Sequence, residues 1–197
     1  GSQIVMGLQT VVSRTLPPRR PGVITVGAFH SGTKHNIISD AAHLQLTVRS
    51  ESPEDRTLLL DGIRRVAENM GRVAGLPDEL LPEVVVSAES VPPTLNDKVL
   101  TERVIALWDA HFGQGVLFAG ERLGMGAEDF PFFTVDPYIP SLYFAVGGTP
   151  PEDFVRERDG GAPVPSHHSP LFKIEPDAAV TMGVEASVTA LLDLLGS

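Results

Sequence analysis

The chain has 197 residues, 42% of them apolar and 20% charged, with a net charge of −10 and no cysteine. That composition supports a folded core of one large or two small domains. It excludes disulfides, thiolate nucleophiles and cysteine-type zinc sites, and it argues against nucleic acid or an anionic membrane as the main partner, because both reward clustered lysine and arginine. No apolar run approaches ~20 residues, so no membrane span is expected. No signal peptide is visible, and a cytoplasmic location is expected.

Ile4, Leu8, Val11 and Val12 recur at helical spacing, and this first helix should end near Arg14, ahead of Pro17, Pro18 and Pro21. It opens at Gln3 without a cap, which points to a preceding segment. A β-rich run follows from Val23 to Phe29. The next run alternates: Ala42, Leu44, Leu46 and Val48 face one way, and His43, Gln45, Thr47 and Arg49 the other. The loop between the runs is too long for a two-residue turn, so they should form an antiparallel hairpin with a functional-length loop.

Ser52, Pro53, Glu54 and Asp55 form a helix start: a capping serine, proline at the first position and acids in the first turn. Leu59, Ile63, Val66, Met70 and Val73 then mark an apolar stripe that should stop near Gly75. The run from Glu83 to Glu89 reads as a strand. The order α-β-β-α-β is that of a split βαβ arrangement lacking its first strand. Ser90 to Asp97 looks like a crossover. A helix from Asp97 to Phe112 should point Leu100, Val104, Leu107 or Trp108, and Phe112 inward. Phe130, Phe132 and Phe133 read as core. Ser141 to Gly148 has the look of a buried strand. Thr149 to Pro170 reads as a polar loop. A last helix from Asp177 to Leu195 carries Val180, Val184, Val188, Leu191 and Leu195 on one face.

Three places could carry chemistry. Neutral imidazole is a common ligand for zinc, and His167 and His168 sit in a long loop that leads from the expected buried strand to the last helix, where α/β sheets place their sites. In extended backbone they would point apart, so one at most would face a given ion; both could equally be plain loop residues. Asn36 and Arg49, held near each other, could bind a carboxylate, the guanidinium as a bidentate fork. Alternatively Asn36 forms a turn and Arg49 is an edge-strand charge. Glu128 and Asp129 could ligate a metal or act as a base, or cap a helix. The glycine patterns match neither a phosphate-binding loop nor a dinucleotide fingerprint, and there is no nucleophile elbow.

Several stretches in order, "LQTVVSR", "GTKHNIISDAAHLQLTVRS", "VPPTLND", "GAEDFPFF", "YFAVGG" and "HHSPLFKIEPDA", resemble the dimetal aminoacylase and carboxypeptidase family, metallopeptidase family twenty. The likeness is greatest to its amidohydrolase branch, which includes hippurate hydrolase and the hydrolases of indoleacetyl-amino acids, and only to the C-terminal half of such an enzyme. The resemblance implies an α/β chain: residues 3–90 as a ferredoxin-like βαββαβ lid, or dimerisation domain, without its first strand, and residues 91–197 as the closing part of a zinc-exopeptidase-like catalytic domain. It implies His168 as a metal ligand, with His167 matching no ligand position. Asn36 and Arg49 match lid residues that reach the substrate's carboxylate or scissile amide, often in the partner subunit's site. Glu128 and Asp129 match a loop near the site whose role stays unassigned. Ser39 departs from the family's proline.

The implied enzyme uses two divalent ions, usually zinc, to hydrolyse N-acyl amino acids or small peptides, and forms a homodimer through the lid. Its catalytic glutamate and other ligands would lie upstream of this chain, so no catalytic residue is assigned here and the chain alone is expected to be inactive, with no stably bound metal. The alternative is a non-catalytic dimerisation or carboxylate-binding module.

Overall fold

The computed structural model describes residues 1–118 and 124–196. They fall into two compact units: residues 1–94 with 124–136, and residues 95–118 with 137–196.

The first unit opens with α1 (Ser2–Thr10), continued by a π-turn (Val11–Thr15) that closes with Leu16 N–H on the Val11 carbonyl at 3.1 Å. Two strands follow, β1 (Gly22–Ser31) and β2 (Ala42–Ser50), paired antiparallel. The alternation read in β2 holds: Leu44, Leu46 and Val48 are half-buried, and His43, Gln45, Thr47 and Arg49 are exposed. In β1 the register shifts between Val26 and Ala28. This bulge inserts one residue, so Phe29, still 41% exposed, pairs with Leu44, the half-buried Ala28 pairs with Gln45, and the exposed His30 pairs with His43.

The third element is α2 (Pro53–Val73). Ser52 caps it as expected, its hydroxyl oxygen accepting from Asp55 N–H at 3.1 Å. Asp55 is only 2% exposed. Its carboxylate is satisfied by the Ser52 hydroxyl at 3.0 Å and by the Arg20 guanidinium at 2.6 Å, as a buried charge requires. At the other end Gly75, at φ +75°, donates to the Arg72 carbonyl, and Leu76 donates to that of Gly71. That is a Schellman motif, which needs a left-handed residue at Gly75.

Leu8, Val11, Leu16, Leu59 and Ile63 are buried together, with Ile24, Val26, Leu46, Val48, Val66 and Val84 packed around them. One face of the hairpin is thus covered by α1, the π-turn and α2. Gly62 permits the close approach of α2, since a Cβ there would lie 2.5 Å from Val11 Cγ1. Val73, expected on the inward stripe, is exposed.

The strand expected over Glu83–Glu89 does not form. The sheet has two strands, β1 and β2, among the described residues. Residues 83–89 run beside no ladder partner and bend where Glu89 N–H meets the Ser87 hydroxyl and Ser90 N–H meets the Ala88 carbonyl. Phe132 and Phe133, expected in a core, are exposed (Phe133 at 76%), because the short 3-10 turn that carries them (Phe130–Phe133) buries Pro131 instead.

The second unit holds α3 (Lys98–Phe112), α4 (Pro151–Arg158) and α5 (Pro176–Leu195). Val104, Trp108 and Ala186 are buried, with Leu100, Phe112, Leu117, Leu142 and Ala190 around them. The Trp108 indole donates to the Ala186 carbonyl at 3.0 Å, and Arg103 reaches Asp193 at 2.7 Å. The face of α5 turned to α3 is therefore the small-residue one. The Val180, Val184, Val188, Leu191 and Leu195 stripe is exposed. By length and composition alone the 20-residue α5, at mean hydropathy 1.5, meets the criteria of a membrane-crossing helix, criteria that core helices also meet.

Ser141–Gly148 is not a strand either. The Asn96 side chain takes the place of a neighbouring strand, donating to the Tyr143 carbonyl at 2.9 Å and accepting from Tyr143 N–H at 2.8 Å. Phe144 instead lays its ring against Trp108, centroids 4.8 Å apart. The loop expected from Thr149 contains α4, whose signals are proline at the first turn, Glu152 and Asp153 after it and Arg156 and Arg158 at the end.

Asp97 ties this unit's start together. Its carboxylate accepts from Leu100 N–H at 2.8 Å and from the Tyr138 hydroxyl at 2.7 Å, and its own N–H donates to the Ser141 carbonyl at 2.8 Å. The Leu100 N–H, then the Tyr138 hydroxyl, hold the Asp97 pKa below its ordinary 3.8. The same bond raises Tyr138 above its ordinary 10.0.

Two outcomes are expected. Leu59, at 0% exposure, sits in the centre of the first cluster, so Leu59→Ala should lower unfolding free energy by roughly 2–5 kcal/mol in urea titrations. A depressed carboxylate stabilises above its unfolded pKa and loses that stability as pH falls through the folded value; a raised phenol stabilises below its unfolded pKa and loses it as pH rises. The urea midpoint should therefore fall as pH drops below about 4, and again above about 10. In Tyr138→Phe the alkaline fall should shrink and the acid fall should weaken.

Candidate functional site

Arg49 stands near the end of β2, paired in register with Val23, on the exposed face of the hairpin. Its Nη1 donates to the carbonyl of Met125, 76 residues later. Met125 belongs to the Gly-bounded loop that leads to Glu128 and Asp129. One sequence-predicted residue is thus tied to the segment that carries two others, within the first unit. The carbonyl anchors one nitrogen of the fork and leaves its further donors exposed. Sequence offers no signal for this contact, since the acceptor is a backbone oxygen.

Asn36 lies elsewhere. It occupies the third position of a turn, Lys34–Ile37, closed by Ile37 N–H on the Lys34 carbonyl at 3.3 Å. The turn-forming role holds, while its side chain is exposed and makes no hydrogen bond among the described residues. Ser39 stiffens the loop in its own way, its hydroxyl donating to the Ala41 carbonyl at 2.8 Å. The loop is rooted at the Ser31–Ala42 pair, the opposite end of the ladder from Arg49. From Ala42 to Arg49 the strand runs roughly 23 Å at ~3.3 Å per residue. The hairpin therefore separates the roots of the two side chains that the sequence reading placed side by side.

Asp129 holds the cap position of the 3-10 turn, and its backbone carbonyl accepts from Phe132 N–H at 3.1 Å. Its side chain forms no capping bond, so capping does not explain its presence. Asp129 is exposed and Glu128 half-buried.

His167 and His168 belong to the second unit. They form the middle of a turn closed by Ser169 N–H on the Ser166 carbonyl at 2.8 Å. The turn replaces the extended backbone considered above and brings the rings together, with centroids 4.3 Å apart and planes at 48°. Both are exposed, and neither makes a hydrogen bond or ion pair among the described residues. Among the described residues no three His, Asp or Glu side chains converge as a metal site.

Asp97, read both as the end of the crossover and as the first residue of the helix, and Asn96, within the crossover, were given no role of their own. Their signal was available: an aspartate one residue ahead of an amphipathic helix is an N-cap pattern.

No protein-family model matches the chain. Curated relatives do. The chain is 31% identical over 188 residues to the uncharacterized hydrolase y4tI of Sinorhizobium fredii, a match covering 95% of this chain and 42% of that protein. It is 30% identical over 146 residues to the N-acetyldiaminopimelate deacetylase of Leuconostoc citreum, covering 74% of this chain and 36% of the relative. It is 28% identical over 132 residues to the hippurate hydrolase of Campylobacter jejuni, covering 67% and 33%. A crystal structure of a proposed aminohydrolase from methicillin resistant Staphylococcus aureus superposes with a TM-score of 0.73 at 26% identity, covering 98% of this chain and 45% of that one. The chain thus spans less than half the length of the relatives it matches. The ordered motifs, the mixed fold of helices and a small antiparallel sheet, and these matches agree: the chain's homologues are amidohydrolases, in keeping with the amidohydrolase branch of the aminoacylase and carboxypeptidase family.

Proposed function

We propose that the chain is part of a metal-dependent amidohydrolase that cleaves the amide bond of N-acyl amino acids or small peptides, and that its own contribution is substrate binding by Arg49 and Asn36 and one metal ligand, His168. The observation that carries this reading is the anchored guanidinium of Arg49, whose Met125 contact leaves donors facing solvent. Every N-acyl amino acid carries a carboxylate, and a planar fork of donors is the group that binds one bidentately. The relatives named for N-acetyldiaminopimelate and hippurate act on such molecules.

The resemblance implies two divalent ions, zinc as the usual choice. His168 suits one of them as a donor: it is an exposed imidazole, free of hydrogen bonds among the described residues. A catalytic zinc takes about three protein ligands, and no such group exists among the described residues. His168 is therefore a single contributor and cannot hold an ion alone. The bound ions would supply a Lewis acid and an activated water. What these residues do is bind and orient: Arg49 fixes the substrate carboxylate, and Asn36 offers an amide to a polar group of the ligand.

Two experiments test this. The purified chain, assayed on hippurate and N-acetyl amino acids with zinc or manganese added, should release no product above buffer. Chelator-sensitive hydrolysis restored by zinc would overturn the assignment of the chain as incomplete. In an NMR titration with hippurate, Arg49→Ala should weaken binding about tenfold or more, as expected for loss of a charge-assisted pair. Arg49→Lys should recover only part of it, and equal binding by all three forms would remove Arg49 from the site.

A further inference from the structure

The exposed face of the β1–β2 ladder ends, beside the loop that carries Asn36, in two histidines directly opposite each other. His30 pairs in register with His43, and the next pair, Ser31 with Ala42, is the last of the ladder. Beyond it the Ser31 hydroxyl donates to the Ala41 carbonyl at 2.9 Å and closes the base of the loop. The bulge after Val26 places His30 on the solvent face, where the preceding pair on that face is Ala28 with Gln45. Both histidines are exposed, and neither makes a hydrogen bond or ion pair among the described residues. Opposed residues on one face of an antiparallel pair have Cβ atoms about 4.5–5.5 Å apart. Each imidazole has two rotatable bonds, so nitrogens from both can reach one ion.

We propose that His30 and His43 form a bidentate site for a late first-row transition-metal ion at the root of the Asn36 loop. The ligand class follows from the donors. Imidazole nitrogen suits copper, nickel and zinc, whereas magnesium and calcium take oxygen. Two protein ligands leave the remaining positions to water, so this is a clamp and not a hydrolytic centre. It uses neither His168 nor Arg49 and does not depend on the proposed amidohydrolase activity. An ion bridging the strands one pair inside the loop would restrain the ladder's open end and the loop beyond it.

The test uses the whole chain carrying His167→Ala and His168→Ala, which removes the other adjacent pair. Copper(II), nickel(II) and zinc(II) chlorides are titrated by calorimetry, with circular dichroism as a check that the exposed substitutions leave the fold unchanged. One ion should bind, copper tighter than nickel or zinc in line with the Irving–Williams order. Adding either His30→Ala or His43→Ala should weaken binding about tenfold or more. Nickel should broaden amide signals of residues 30–43 first. Absence of binding, or binding unchanged by either single substitution, would overturn the site, because a chelate needs both rings.

Discussion

The bulge between Val26 and Ala28 governs what the hairpin offers on each face. Side chains alternate along a strand, so one inserted residue exchanges the faces of everything after it. Before the bulge, Ile24 and Val26 join Val48 and Leu46 against the helices. After it, Phe29 takes the helix side with Leu44. Its ring lies where a Cβ on Gly1 would come within 2.5 Å. Without the bulge, Phe29 would face solvent and His30 would face the core. Phe29 stays 41% exposed at that end, while the shift sets His30 opposite His43, at the end of the polar run of β2 that starts at Arg49.

In the second unit the ordering constraint is a polar one. A buried indole needs an acceptor for its N–H, and Trp108 finds it in the Ala186 carbonyl. A close approach to a helix backbone needs small side chains, which α5 supplies with Ala186 and Ala190. Hydropathy alone points to the valine and leucine stripe of α5 as the inner face; the indole's requirement selects a different one. Leu195 is left 81% exposed as a result.

Elements whose cause is local were legible in the sequence. Ser52 and Pro53 start α2 through bonds within four residues, and Gly75 ends it. The alternation of β2 reports burial on one face and needs no knowledge of the partner. Elements whose cause is distant were not legible. An apolar run such as Ser141–Gly148 becomes a strand only if another backbone lies beside it, and here the Asn96 side chain occupies the key groups of Tyr143 instead. Residues 83–89 have the composition of a strand and no ladder partner among the described residues. For the candidate site, the residue types were readable and their arrangement was not. The Arg49–Met125 bond spans 76 residues, and the turn at Ser166–Ser169 sets the two imidazoles side by side where extended backbone would part them.

That arrangement constrains how the proposed substrate could be held. Arg49 is fixed to the Met125 loop at one end of β2, while the loop of Asn36 springs from the other, roughly 23 Å away along the strand. A small N-acyl amino acid gripped by Arg49 meets Asn36 only if the loop folds back along the exposed face. Otherwise the two side chains serve different ligands, or the same ligand from two copies of the chain. The first case requires the loop to move as one piece about its root. The root is where Ser31, Ala41 and the His30–His43 pair lie, so restraint at that point would act directly on whether Asn36 and Arg49 can share a substrate.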